Sequence, residues 1–401
     1  MITVVDAKKI NGEVKAIASK SYAHRALICS SLSENHSFVT CKEESEDIMA
    51  TVKCLESLGA VIKRMPNGYD VYPVSHGKGK KSEEMDCNES GSTFRFMLPI
   101  ALALGAKSSF NLKGRLALRP LSPFYEELEK HGAKMSEEGS VPFKIDGRLE
   151  PGKYGLPGNV SSQFISGLLF ALPLLSEDSK IIVAGQIESK SYINLTIEVL
   201  KLYGIDIQTT DNEYIIKGNQ TFSAPPELIV EGDWSNAAFW LSAGALLEKG
   251  ITCNNLNMNS MQGDKKIIDI LKEFGAEVRI HKNSVTVKKN QLNGIEVDAM
   301  NIPDLVPIIS LVASVSKGMT VIKNAERLRL KESDRLKSVA ETLTKLGADI
   351  VITKDGLEIY GKEALKSNSV DSFKDHRIAM MTAIASIVSN GPITIYESEV
   401  I

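Results

Sequence analysis

The sequence carries no surplus of positive charge. Its 47 lysines and arginines stand against 50 aspartates and glutamates, a net charge of −3 over 401 residues. With no basic stripe and no aromatic platform, the footprint of nucleic-acid binding is missing. Long apolar runs are missing too. Residues 168–175 are among the longest, far short of the roughly 20 residues that cross a bilayer. Residues 1–20 hold no signal-peptide core, so a cytoplasmic protein without membrane partners is expected. Cysteine is scarce. Cys29, Cys41, Cys54, Cys87 and Cys253 are scattered, odd in number and free of any CxxC spacing, which argues for reduced, mostly buried thiols. The six histidines show no ligand spacing, so no metal site is expected.

What is present is a repeat. The phrase helix, bulky residue, glycine, small or apolar residue, strand occurs as CLESLGAVIKR, ELEKHGAKMS, VLKLYGIDIQ, ILKEFGAEVRI and TLTKLGADIVI. Its glycines are Gly59, Gly132, Gly204, Gly275 and Gly347, at spacings of 73, 72, 71 and 72 residues. A turn pair follows each phrase: Asn67-Gly68, Glu138-Gly139, Asp211-Asn212, Lys282-Asn283 and Asp355-Gly356, read as β-hairpins. Five copies in phase indicate an internally repeated fold.

A second series interleaves with the first. Apolar segments that are greasy on every side, and therefore buried helices, begin near Lys20, Ser90, Ser161, Asp233, Pro303 and Asp375. Six units of buried helix, amphipathic helix and short strands make an α/β protein of two lobes with three units each. The lobe boundary is expected within residues 220–231, which hold Pro225 and Pro226. The sixth unit lacks its amphipathic helix. One further period from Gly347 lies beyond Ile401, so a C-terminal tail is expected in the native protein.

Helix starts attract anions, because free N–H groups and the positive dipole end point there. Plain N-capping by Ser, Thr or Asp is the simpler reading of each start taken alone. Arg25, Arg95 and Arg377 oppose it, since an unpaired guanidinium in a buried first turn is very costly. Convergent starts of this kind suit a multiply anionic small molecule. Further cations precede helices: Arg115 and Arg119, then Arg327, Arg329, Lys331 and Arg335. Arg327 and Arg329 are expected on a solvated face. The carboxylates available for proton transfer are Asp304, Glu332 and Asp375, and sequence leaves open which is acid and which is base.

Taken in order, these segments resemble the EPSP synthase (3-phosphoshikimate 1-carboxyvinyltransferase) family of enolpyruvyl transferases. The matching stretches are Ser19-Lys20-Ser21 with Arg25, NESGSTFR around Gly91, Leu118-Arg119-Pro120, Ser161-Ser162-Gln163 and SKSYI with Ser189 and Tyr192. The series continues with VEGDWS, Ile302-Pro303-Asp304, KESDR ending at Arg335 and Asp375-His376-Arg377. The resemblance implies an inside-out α/β barrel architecture, with three βαβαββ units per lobe and two crossovers between lobes. It implies lobes of residues 14–229, and of 1–13 with 230–401. The first would serve mainly shikimate 3-phosphate; the second, phosphoenolpyruvate and catalysis. In the family the lobes close like a hinge on the two substrates.

The resemblance also implies site residues. Ser161, Ser162 and Ser189 would hold the shikimate phosphate, with Lys20, Ser21, Arg25 and Gln163 beside them. Arg119, Arg335, Arg377, Lys20, Gln163 and the Gly91 backbone would hold phosphoenolpyruvate. Asp304 would take the proton of the 5-hydroxyl, Glu332 would serve the methylene carbon, and Lys331 would contact the shikimate hydroxyl, with Lys20 completing the catalytic set. The implied addition–elimination passes through a tetrahedral ketal phosphate. It calls for no metal or other cofactor, and the protein is expected to act as a monomer. Gly91 resembles members sensitive to the herbicide glyphosate.

This sequence departs from the family pattern in places. Ser191 stands where many members have proline, and Arg327 where some have asparagine. A lysine that commonly completes the phosphoenolpyruvate clamp falls beyond residue 401. Two rivals remain: the sister transferase acting on UDP-N-acetylglucosamine, and a non-catalytic anion-binding repeat protein. The first typically carries a loop cysteine, yet residues 88–252 contain none; the second has no need of Asp304 and Glu332 together with Lys331.

Overall fold

The computed structural model describes residues 1–7, 10–74 and 83–400. Eleven α-helices occur among the described residues: α1 (Lys20–Leu32), α2 (Glu46–Ser57), α3 (Gly91–Ala103), α4 (Phe124–Lys130), α5 (Ser162–Ala171), α6 (Lys190–Leu202), α7 (Trp234–Leu246), α8 (Ile267–Phe274), α9 (Val306–Ser314), α10 (Arg335–Lys345) and α11 (His376–Ala385). Odd-numbered helices are the apolar ones. In α9 every residue is buried. Even-numbered helices are amphipathic: α10 buries Leu336, Val339, Ala340 and Leu343 and leaves Lys337 exposed. The five phased glycines end the even-numbered helices, all at positive φ between +79° and +106°. A left-handed residue there lets the last carbonyls find partners, and glycine adopts it without a Cβ clash.

One unit shows the pattern. Strand Glu296–Asp298 pairs parallel with Met319–Lys323 across α9. Met319–Lys323 pairs antiparallel with Leu357–Tyr360, which closes a hairpin with Asp349–Ile352. Among the described residues the same order occurs in five four-stranded sheets, and a sixth sheet has three strands. The expected hairpins are present at all five positions, the one around Gly139 with a longer loop between Ala133–Met135 and Phe143–Gly147. Strands such as Ser37–Thr40 alternate between fully and partly buried positions, so each sheet packs one face on the helices.

The chain forms two compact units, a first lobe of Ala18–Glu231 and a second of Met1–Ile17 with Gly232–Ile401. Each has its own apolar core. A boundary after residue 13 would cut strand Gly12–Lys15, which pairs in full with Ile251–Asn254 of the second lobe. Ala16 is buried in that lobe's core as well, so the division falls after Ile17. At the other crossover Glu227–Ile229 pairs with Ser37–Thr40 of the first lobe, which moves the division from 229 to Glu231. The strand leading into α1 therefore belongs to the second lobe, and the strand leading into α7 to the first. In the three-stranded sheet Ile2–Val5 pairs antiparallel with Ile393–Tyr396, the place taken by the last hairpin strand in the other sheets.

Candidate functional site

In the first lobe the cap and the extra hydroxyls separate cleanly. Ser19, Ser90 and Ser161 accept from the amides of Tyr22, Thr93 and Gln163, and so cap α1, α3 and α5. Beyond the caps, Gln163 bridges two helix starts: its amide donates to Ser92 Oγ at 2.8 Å, and its carbonyl oxygen accepts from Arg95 Nη1 at 2.8 Å. Arg95 also donates to Pro120 O at 3.4 Å and lies over the Phe164 ring. Gly91 makes room here. A Cβ on it would stand 2.7 Å from Arg119 Nη1 and 2.7 Å from Arg95 Nη1. The structure thus brings Gly91, Ser92, Arg95, Arg119 and Gln163 together.

Lys20 pairs with Asp47 at the start of α2, Nζ to Oδ2 2.7 Å. Arg25 is buried and held by the protein: Nε donates to Thr196 Oγ1 at 2.8 Å, Nη1 to Ser21 O at 2.6 Å and Nη2 to Tyr192 O at 3.0 Å. Burial lowers its pKa to about 10. Thr196 in turn donates to Ser166, so Arg25 ties α1 to α5 and α6. Ser162 is buried, and buried Ser189 precedes α6 in a left-handed conformation at φ 53°.

In the second lobe Arg335 is the centre. It opens α10 directly after its cap Asp334, and it is 1% exposed. Its Nη1 donates to Asp304 Oδ1 at 2.6 Å, its Nη2 to Glu332 Oε2 at 2.6 Å and its Nε to Asp375 Oδ2 at 2.8 Å. Burial alone would lower the pKa of Arg335, but Asp375, Glu332 and Asp304 outweigh it and raise the value. Burial alone would raise Asp375, but Arg335 outweighs that and holds it below the usual carboxylate range. Asp375 also accepts from Ser333 Oγ at 3.1 Å and caps α11 through the Arg377 amide.

Three cations of the second lobe stand beside Asp304. Lys331 Nζ stands 3.5 Å from Oδ1, Arg377 Nη2 stands 3.5 Å from Oδ2, and Arg377 Nη1 donates to the Asp304 carbonyl at 3.1 Å; the third is Arg335. Burial lowers the Lys331 amine to about 8, against the upward pull of Asp304. Asp304, Lys331, Glu332, Arg335 and Arg377 therefore form one cluster, with Asp375 behind Arg335. Three carboxylates face three cations. Such a set can hold an anion, accept a proton and return one.

Several partners escaped sequence reasoning. Asp47, Thr196 and Asp264 carry no spacing signal toward the residues they serve. Asp264 is fully buried, takes a hydrogen bond from Ser235 Oγ at the start of α7, and is raised to about 6 by burial and by Asp304. Arg327 and Arg329, expected on a solvated face, are both partly exposed, and each also reaches a backbone carbonyl. Arg327 Nη2 donates to Met300 O at 2.7 Å, and Arg329 Nη2 to Thr353 O at 3.2 Å. The Met300 carbonyl, brought near by the tertiary fold, holds Arg327 against the protein, while Arg329 stays at the surface. All five cysteines are free and buried. No helix among the described residues is long and apolar enough to cross a membrane, and no metal-ligand cluster occurs among them.

The sequence profile described as EPSP synthase (3-phosphoshikimate 1-carboxyvinyltransferase) matches residues 4–401. A protein of Clostridium kluyveri named 3-phosphoshikimate 1-carboxyvinyltransferase is 45% identical over 397 residues, covering 98% of this chain and 92% of its own length. One of the same name from Clostridium perfringens is 46% identical over 386 residues, with 96% and 91% covered. Among solved structures, EPSP synthase from Acinetobacter baumannii superposes with a TM-score of 0.81 at 24% identity over 99% of this chain and 94% of that one. The enolpyruvyl transferase NikO from Streptomyces tendae superposes with a TM-score of 0.78 at 14% identity, over 99% and 93%. At such identities these two structures speak for the fold alone, whereas the profile and the curated relatives assign the family. The chain belongs to the EPSP synthase (3-phosphoshikimate 1-carboxyvinyltransferase) family.

Proposed function

We propose that this enzyme transfers the enolpyruvyl group of phosphoenolpyruvate to the 5-hydroxyl of shikimate 3-phosphate and releases phosphate. The observation that carries the reading is the second-lobe cluster, in which Asp304 sits among Arg335, Lys331 and Arg377 with Glu332 alongside. The hydroxyl oxygen attacks the central carbon of phosphoenolpyruvate, and Asp304 takes its proton. The double-bond electrons pick up a proton at the methylene carbon, which Glu332 supplies or relays. The resulting ketal phosphate loses phosphate as the methyl group gives up a proton, and the double bond returns. These steps use positioning, acid–base transfer and electrostatic clamping.

The phosphoenolpyruvate anion takes Arg335 and Arg377 in the second lobe and Lys20, Gly91, Arg119 and Gln163 in the first. Shikimate 3-phosphate takes Ser161, Ser162 and Ser189, with Lys20, Ser21, Arg25 and Gln163, and its ring hydroxyls take Asp304 and Lys331. An arriving anion competes with Asp304 for Arg335 and Arg377. A carboxylate relieved of cationic partners is a stronger base, so substrate binding would prepare Asp304 for its proton. The enzyme works in the cytoplasm as a monomer. Phosphate release with phosphoenolpyruvate plus shikimate 3-phosphate, run beside UDP-N-acetylglucosamine as acceptor, tests the assignment. Turnover with the shikimate ester alone is expected; turnover only with the nucleotide sugar would reverse it.

A further inference from the structure

Three helices of the first lobe each begin with a candidate anion-site residue or, on α2, with the carboxylate that pairs Lys20, and two positions or one turn further each carries a buried polar side chain. On α1 these are Lys20 and His24; on α2, Asp47 and Thr51; on α3, Gly91 and Thr93. The three buried members touch. His24 Nδ1 lies 2.7 Å from Thr51 Oγ1, and Thr51 Oγ1 lies 2.7 Å from Thr93 Oγ1. Thr93 Oγ1 reaches Ser90 Oγ at 2.8 Å and Asp47 O at 3.3 Å. His24 is 1% exposed, and its Nε2 has no hydrogen-bond partner among the described residues.

The direction of the chain follows from counting protons. Thr93 has one hydroxyl proton and gives it to Ser90 or to the Asp47 carbonyl. It must then accept from Thr51, whose own proton is thereby used. Thr51 must in turn accept from His24, so Nδ1 carries the hydrogen and Nε2 is the bare nitrogen. Burial is the chief cause that lowers the imidazole to about 3; Lys20 and Arg25 push the same way, against the upward pull of Asp47. A neutral ring can keep this single donor role across the working pH range.

We propose that His24 is a positioning residue for phosphoenolpyruvate binding, acting through the relay Thr51–Thr93–Ser90 to hold Lys20, Asp47 and the Ser90-Gly91 turn in register. The relay fixes the rotation of α1, α2 and α3 against one another at the end where those groups stand. It touches no substrate itself. The inference rests on the reading that Lys20, Gly91 and Arg119 hold phosphoenolpyruvate.

The test pairs spectroscopy with kinetics. Nitrogen-15 NMR of labelled enzyme is expected to show His24 with hydrogen on Nδ1 and no titration between pH 5 and pH 8, a window set by a value of about 3. A hydrogen on Nε2 overturns the relay. H24N places an amide nitrogen where Nδ1 stood and is expected to keep the wild-type KM for phosphoenolpyruvate. H24Q reaches toward the Nε2 position instead. H24Q and H24L are expected to raise that KM about 5- to 30-fold, the span of a lost buried partner, with kcat and the KM for shikimate 3-phosphate little changed. An unchanged KM in H24Q, or H24N failing as badly as H24Q, overturns the proposal. Should H24L not fold, the H24N and H24Q pair still decides. Wild-type enzyme inactive with phosphoenolpyruvate would sink the assignment of activity instead, and the NMR result would still judge the relay.

Discussion

Asp304 is a half-buried carboxylate with three cations around it, and this arrangement sets what its loss should do. Asp304→Ala removes the proposed base while leaving Arg335, Lys331 and Arg377 in place. Steady-state kinetics should show kcat down about 10²- to 10⁴-fold, the usual worth of a positioned base, with the KM for phosphoenolpyruvate unchanged or lower. A raised KM with kcat intact would make Asp304 a binding residue. Lys331 offers a pH test. Its amine is lowered to about 8, so it is charged below that pH and neutral above it. The kcat/KM profile should therefore fall on the alkaline side near pH 8. Lys331→Arg, which stays charged, should move that limb upward. At this scale much was legible in sequence, because the cluster lies in two short motifs and one helix start. The partners that hold it were not. Sequence left Asp375 as fit to orient an arginine as to do chemistry; that its partners are Arg335 and Ser333 emerges only once α10 and α11 pack.

The even-numbered helices end where the phased glycines stand; at Gly132 and Gly275 a Cβ would also strike a backbone carbonyl, but at Gly347 the reason is conformational rather than spatial. A Cβ on Gly347 would meet only the flexible side chain of Lys366, at 3.1 Å, but φ is +91°. Gly347→Ala should cost about 1–2 kcal/mol in urea unfolding, the penalty of a left-handed L-residue. Gly356 differs. A Cβ there would stand 1.7 Å from the Ile322 carbonyl, so Gly356→Ala should destabilise considerably more. Equal losses at the two positions would refute this distinction. Helix identity was readable because apolar periodicity is a local property: α10 and α9 differ in it plainly. The inward turn of Arg327 was not readable, because its acceptor, Met300 O, lies 27 residues away in sequence.

Over the whole molecule, the lobes trade the strands that enter their first buried helices. Gly12–Lys15 pairs in the second lobe and Glu227–Ile229 in the first, yet every sheet is built from one lobe only. The first lobe also has its own core. The fragment Ala18–Glu231 should therefore fold alone, with a cooperative denaturant transition and native-like circular dichroism. A fragment without such a transition would show that its sheets need the rest of the chain. The six-fold repeat was legible from glycine spacing and buried-helix starts. The strand exchange was not, because strands of three or four residues take their partners from whichever edge the fold presents. The placement of Ile2–Val5 beside Ile393–Tyr396 is a case of the same kind. Enolpyruvyl transfer of this kind exchanges protons at the methylene carbon, and turnover in heavy water followed by proton NMR reads that exchange. With phosphoenolpyruvate and shikimate 3-phosphate, deuterium should enter the enolpyruvyl methylene group as phosphate is released, and Glu332→Gln should suppress both. Phosphate released with no deuterium in the product would rule out this transfer.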